Sequence, residues 1–246
     1  AQCKRHITLM KTNYPKNILF LDVETVAGHD DYDKLNERLK NQWARKASFL
    51  KREEGATDAM LYNERAGIYA EFGKIVVISL GFFYQDEQDE LQFRVTSLYN
   101  DDETVLLEKF KSILEKMDED IRLCAHNGRE FDFPYLSRRM LINDIKLPSA
   151  LDLSGKKPWE LNHLDTMDMW KFGDWKHYTS LELLATLFGI ESSKTDMDGS
   201  MVNGVYYKEK DLKKIAEYCT DDVIVTANLY CKLKSMPTAF TVTRVD

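Results

Sequence analysis

No apolar run in the sequence comes near the ~20 residues that a membrane-spanning helix needs. The opening stretch, Ala1 to Lys16, is too polar to read as a signal peptide. The four cysteines, Cys3, Cys124, Cys219 and Cys231, form no Cys-x-x-Cys pair, and Cys124 lies in an apolar, strand-like run. Free buried thiols in a reducing compartment are therefore expected, and with them a cytoplasmic protein. Internal repeats and low-complexity tracts are missing too, so nothing indicates a repeat array or a long unstructured linker. Basic charge is also scarce. The net charge is −7, the wrong sign for most nucleic-acid partners. The deficit is local, however. Residues 86 to 120 hold 12 acidic against 4 basic residues, a balance of −8, so the rest of the chain carries +1. The acid need not lie on a face that meets a polyanion.

What is present suits one globular domain over residues 1 to 246. Hydrophobic residues make up 43% and charged residues 30% of the chain, which is ordinary for a protein with a real core. Ile18 to Leu21 is an apolar run of strand length. Lys74 to Tyr84 and residues 90 to 98 read as two further strands joined by the acidic turn Gln85 to Asp89. Ile121 to His126 reads as a fourth, and Leu164 to Met169 as a short fifth or its exit. Helical patterns cover residues 31 to 53, 57 to 72, 101 to 117, 131 to 143, 178 to 188 and 211 to 234. In the first, Leu35, Leu39, Trp43, Ala47 and Leu50 form one stripe, expected to pack on the domain. A meander followed by strand–helix crossovers makes an α/β fold: a mixed sheet, antiparallel and then parallel, flanked by helices. The gap from about 28 to 73 is far longer than a hairpin needs. It reads as a helical insertion placed directly after the first strand, either a substrate clamp or a packing element.

Asp22 and Glu24 follow the first apolar run. Residues two apart on a strand point to the same side, so the two carboxylates project together from one face. Like charges side by side are costly unless a cation lies between them. Asp132 follows the fourth strand, in Asn127-Gly128-Arg129-Glu130-Phe131-Asp132, and could equally be a helix cap. Tyr218 and Asp222 are four apart and share one helical face.

In order and spacing these three pieces resemble the DEDD exonucleases, a ribonuclease H-like superfamily, and Tyr218 marks the DEDDy branch. Phe20 to Thr25, Glu71 to Ser79, Asn127 to Leu136 and Tyr218 to Asp222 look most like the proofreading exonuclease domain of family B DNA polymerases. The histidine branch fits less well, since no His-x-x-x-x-Asp precedes Asp222. The resemblance covers most of residues 17 to 234. The polymerase itself has no room in 246 residues, so a stand-alone relative is expected.

The resemblance implies a metal-dependent 3′–5′ exonuclease that releases nucleoside 5′-monophosphates from single-stranded DNA with a free 3′ end. Asp22, Glu24, Asp132 and Asp222 would bind two divalent cations, Mg²⁺ or Mn²⁺. Tyr218 would orient the attacking water. Thr25, Asn127 and Phe131 would meet the terminal nucleotides. Lys156, Lys157, Lys171, Lys176 and His177 are candidate phosphate contacts. Asp165 is a supporting or structural carboxylate, and His126 reads as a satisfied core histidine. Two alternatives stay open: an exoribonuclease resembling ribonuclease D, and a nuclease-like fold kept as a silent binding module. The motifs alone do not separate sugars.

Overall fold

The computed structural model describes residues 14–174, 178–191 and 197–245. The fold is built on strand β1, Ile18–Ala27. Its first four residues are at most 2% exposed, because strands flank both edges and helices cover both faces. The strand runs six residues past the apolar run that ends at Leu21.

After β1 the chain makes a 3₁₀ turn at Tyr32–Lys34, then α1, Glu37–Ala47, and α2, Asp58–Arg65. The single helix expected over residues 31 to 53 is thus broken. Asn36 accepts the N–H of Leu39 and starts a new helix there. The apolar stripe does pack inward: Leu35, Trp43 and Ala47 are buried against Leu61 and Tyr62. The indole N–H of Trp43 donates to Asp58 O at 2.8 Å, tying α1 to α2. A 3₁₀ turn, Ala66–Ile68, leads into β2, Gly73–Gln85, and a hairpin joins β2 to β3, Leu91–Tyr99.

Asp102 caps α3, Glu103–Leu114. Next come β4, Arg122–Ala125, α4, Asp132–Ile142, the two-residue β5, Leu164–Asp165, and α5, Thr166–Lys171. Between α4 and β5 the chain makes two 3₁₀ turns, Ser149–Leu151 and Pro158–Glu160. Helix α6, Leu181–Phe188, starts on Ser180 and ends at Gly189, whose φ of 63° suits glycine. A short α7, Val202–Gly204, runs into a π-helical turn, Val205–Glu209. The long α8, Leu212–Leu233, follows, and the chain ends in β6, Thr241–Arg244.

The six strands lie in the order β5-β4-β1-β2-β3-β6. β1–β2 and β2–β3 are antiparallel, and β1–β4, β4–β5 and β3–β6 are parallel. One face packs on α3 and α4: Leu19, Leu21 and Val23 meet Leu107, Phe110 and Leu136 there. The other face packs on α8: Ile18, Phe20 and Phe93 meet Val223, Ala227 and Tyr230. A mixed sheet flanked by helices, with helices inserted after the first strand, is what the sequence pattern called for. Among the described residues no helix is long and apolar enough to cross a membrane. Cys124, Cys219 and Cys231 are free and buried, and Cys3 lies outside the described residues.

Candidate active site

Two irregularities in β1 open the site. First, its parallel partner is short: the pairing of β1 with β4 stops at Phe20 and Cys124. Beyond that point β1 loses a neighbour and borders the loop that leads to Asp132. Second, the register with β2 shifts between Glu24 and Thr25, a bulge of the kind that re-aims side chains at a sheet edge. Strand alternation puts Asp22 on the same side as Phe20, the side covered by α8, whereas Leu21 and Val23 face α3 and α4.

The turn after β4 delivers the third carboxylate. Asn127 takes a left-handed conformation, with φ 66°. A Cβ on Gly128 would meet the Cβ of Ala125 at 2.5 Å and the Phe133 ring at 2.8 Å, so glycine is required there. Asp165 pins the turn from β5: its carboxylate accepts the N–H groups of Asn127 at 3.0 Å and Arg129 at 3.1 Å. That is a structural role. Asp132 then opens α4, yet its side chain does not cap the helix. The Val23 N–H donates to it, and among the described residues its Oδ1 is buried without a partner. The capping alternative is therefore excluded.

Asp22, Glu24, Thr25, Asn127, Phe131 and Asp132 all line one cleft of about 710 Å³. Tyr218 and Asp222 line an adjoining cavity of about 370 Å³ that shares Asp22, His126 and Tyr178 with it. Among the described residues Asp22, Glu24 and Cys219 group most closely, their ligand atoms lying within 4.8 Å of one another. Asp132 and Asp222 stand somewhat apart, but their charges act on both Asp22 and Glu24. Burial first, and these neighbours second, raise Asp22 and Glu24 well above the usual carboxylate range. Burial raises Asp132 to about 7 and Asp222 to about 6, with the hydrogen bond from the Tyr218 hydroxyl opposing the rise at Asp222. Burial and the three nearest carboxylates push the Tyr218 phenol upward in turn. Among the described residues none of the four carboxylates has an ion-pair partner within bonding distance. Converging oxygen donors, mutual repulsion and an orphaned Asp132 Oδ1 fit a hard divalent cation.

These shifts have a stability consequence. Both Asp132 and Asp222 lie above the ~3.9 of an unfolded aspartate. Between those values the folded chain binds more protons than the unfolded chain, so metal-free stability falls as pH rises from about 4 to 7. Asp132→Asn removes the Asp132 part. In urea melts with EDTA, the stability of wild type relative to this variant should decline across that window. A difference that stays level or grows contradicts the shift.

The other expected contacts divide. Thr25 donates to the Tyr135 hydroxyl, which donates to Gly67 O at 2.7 Å, so its side chain is engaged. The ring of Phe131 both lines the cleft and packs 5.3 Å from that of Tyr135. His126 is satisfied: Nε2 donates to Thr179 O and Nδ1 pairs with the Thr166 hydroxyl, each at 2.8 Å. Lys156 lines a cavity with Asn17 and Arg122, at the amino ends of β1 and β4, away from the carboxylates. Exposed Lys157 lies over the Trp159 ring, and Lys171 pairs with Asp168 at 3.0 Å. None of these three lines the carboxylate cleft. Lys176 and His177 lie outside the described residues.

Several cleft residues carried no sequence signal. Asn63, Arg65 and Ile68 come from the insertion, which forms one wall. Asn203 ties that wall to β1: its Oδ1 accepts the Ala27 N–H at 2.9 Å and its Nδ2 donates to Asn63 O at 3.1 Å. The π-helical turn aims Tyr207, whose hydroxyl donates to Ala27 O. Tyr178 is 70% exposed and borders both cavities.

A family B DNA polymerase from the hyperthermophilic archaeon Pyrobaculum calidifontis has a similar fold, with a TM-score of 0.52 at 16% identity. The match covers 88% of this chain and 24% of the polymerase chain, so this chain spans about a quarter of that protein's length. The shared architecture supports the ribonuclease H-like class expected from the sequence. Residues 68–246 match the model of a family described as predicted 3′-5′ exonucleases related to the exonuclease domain of PolB. That stretch carries Asn127, Asp132, Tyr218 and Asp222, and the sheet brings Asp22 and Glu24 to them from outside it. The chain belongs to this family of predicted 3′-5′ exonucleases related to the exonuclease domain of PolB.

Proposed function

We propose that the chain is a single exonuclease domain that removes nucleotides from the 3′ end of single-stranded DNA and releases nucleoside 5′-monophosphates. The observation that carries this reading is the convergence of Asp22, Glu24, Asp132 and Asp222, with no lysine or arginine paired to them and Asp132 Oδ1 unpartnered among the described residues. In this reading the four carboxylates hold two divalent cations, Mg²⁺ or Mn²⁺. When bound, such ions supply positive charge at the attacking water and at the 3′ oxygen that leaves.

The protein side chains bind and orient. The hydroxyl of Tyr218 is held by Asp222 and its pKa is pushed upward, so it stays protonated and positions the water rather than removing its proton. Among the described residues Asn127 Oδ1 is a buried acceptor without a donor, suited to a hydroxyl or amide of the terminal nucleotide. The backbone at Thr25, beside the bulge, meets the terminal 3′ hydroxyl. Phe131 and Tyr178 offer ring faces, and base stacking on such faces tolerates any sequence. The family's relation to a DNA polymerase exonuclease supports DNA over RNA.

A 5′-labelled single strand tests this. With Mn²⁺ the labelled product should shorten stepwise from full length, and immediate release of a labelled mononucleotide would reverse the polarity. EDTA should abolish the ladder, and Mg²⁺ or Mn²⁺ should restore it. Ca²⁺, larger and looser in geometry, should bind with little turnover, and full activity in Ca²⁺ alone contradicts the mechanism. A matched RNA strand cut at the same rate would remove the sugar preference.

Arg65 is the only lysine or arginine among the described residues that line the large cleft, and it has no ion pair among them. It is the natural phosphate contact. Arg65→Ala should reduce the salt dependence of oligonucleotide binding by about 0.7 in slope, the value of one single-strand phosphate contact. Lys156→Ala, at the far end of the sheet, should leave the slope unchanged. Anisotropy titrations over a salt series in Ca²⁺ read both, and the opposite pattern would place the strand elsewhere.

A further inference from the structure

One buried group beside the carboxylates has no part in the proposed reaction: the thiol of Cys219. It is fully buried. Its Sγ lies 3.1 Å from Asp22 Oδ2 and 3.3 Å from Asp22 O, and it donates to them. The geometry follows from the helix. Tyr218 and Asp222 share the face of α8 that borders the cavity, and Cys219, one residue on, turns toward the sheet where Asp22 pairs with Ser79. Burial first, then Asp22 and Glu24, hold the thiol well above the usual thiol range, and the nearby Ser79 hydroxyl opposes that rise. Ser79 is buried in its turn and lies 2.5 Å from Ser97 Oγ. The sulfur therefore has a carboxylate on one side and a hydroxyl on the other.

We infer that Asp22, Glu24 and Cys219 form a mixed carboxylate–thiolate site that takes thiophilic divalent ions, Cd²⁺ or Zn²⁺. The three ligand atoms already lie within 4.8 Å of one another. Zinc bonds of about 2.3 Å to sulfur and about 2.0–2.2 Å to oxygen span tetrahedral edges of roughly 3.5 Å, so only small side-chain movements are needed. An independent feature points the same way. Asp132 stands outside the trio, but it is 3% exposed, lines the same cleft as Asp22 and Glu24, acts on both by its charge, and among the described residues has its Oδ1 unpartnered, an oxygen left to face a cation in that cleft. Soft sulfur favours Cd²⁺ and Zn²⁺ over Mg²⁺. On binding, the S–H bond breaks, a metal–sulfur bond forms and the proton passes to buffer, with no change of oxidation state. The Ser79 hydroxyl then supports the thiolate, as outer hydrogen bonds commonly do for metal ligands. That this ion competes with the hard cations of catalysis rests on the proposed function. The site itself does not.

Cadmium titration of EDTA-stripped, dialysed protein tests the site. The wild type should develop the ultraviolet charge-transfer band of a cadmium–thiolate bond and saturate at one ion. Cys219→Ser keeps a hydroxyl beside Asp22 but lacks sulfur. It should lose the band and bind Cd²⁺ more weakly by at least the roughly 10- to 100-fold that loss of a mere outer-shell partner costs, while Mn²⁺ still raises its melting temperature. Excess Mn²⁺ should suppress the band in wild type, a readout that needs no variant to fold. No band in wild type, or the same band in Cys219→Ser, overturns the inference, the second by assigning the signal to another cysteine. Absence of any Mn²⁺ melting shift in wild type, with the cadmium band intact, would instead count against the proposed function.

Discussion

Asp22→Ala should abolish hydrolysis and leave the metal-free protein melting at or above the wild-type temperature. Loss of activity together with unchanged or increased stability is the mark of a carboxylate held for chemistry. Asp22 is raised by burial and by the charges of Glu24, Asp132 and Asp222, with only the Cys219 thiol to oppose them. Removing it relieves repulsion that works against the folded state. The lost hydrogen bond from the thiol, a weak donor, offsets this by about 1 kcal/mol. With Mn²⁺ the order should reverse. Wild type gains about 2.7 kcal/mol when free metal is 100 times the dissociation constant, and the variant should lose most of that gain. Melting curves of both proteins in EDTA and in Mn²⁺ give the four numbers needed. Lower stability in EDTA with an unaltered metal response would make Asp22 a structural residue.

The sequence showed the site more clearly than its walls. Asp22 and Glu24 were legible because strand alternation after a buried run fixes their direction. Tyr218 and Asp222 were legible because helical spacing fixes theirs. Asp132 was ambiguous, since a helix start invites capping, and only its hydrogen bonds separate the two roles. What local pattern does not encode is pairing across long separations. Asn203 meets Ala27 across 176 residues, and nothing near either residue marks the contact. The strand β6 is likewise tertiary. All four of its residues are exposed, and its place depends on pairing with β3 and on the ion pair of Arg244 with Asp221. Lys156 was misplaced for a related reason: its loop-like, basic setting suits a phosphate contact, but sheet topology carries it to the other end of β1. The extension of β1 to Ala27 depends on β2, whose Gly73 and Lys74 pair with Ala27 and Val26 beyond the bulge.

Tyr218→Phe separates catalysis from metal binding. The phenol is half-buried, donates to Asp222, and has its pKa raised by burial and by Asp222, Glu24 and Asp22. A phenol so placed does not ionise near neutral pH, so in the proposed reaction the hydroxyl would act by holding the attacking water in line. Phenylalanine keeps the ring and its packing and removes only that contact. Turnover should fall by roughly 10²–10⁴, the range of a positioned proton-handling group. The Michaelis constant should change little, because the hydroxyl acts on the water rather than on the strand. The Mn²⁺ melting shift should persist, since Asp222 remains, whereas Asp222→Asn should lose both turnover and most of the shift. Single-turnover rates on a 5′-labelled strand, set beside the melting shifts, distinguish these outcomes. A wild-type rate for Tyr218→Phe would remove the hydroxyl from the reaction, and a lost metal shift would make it a support for Asp222 instead.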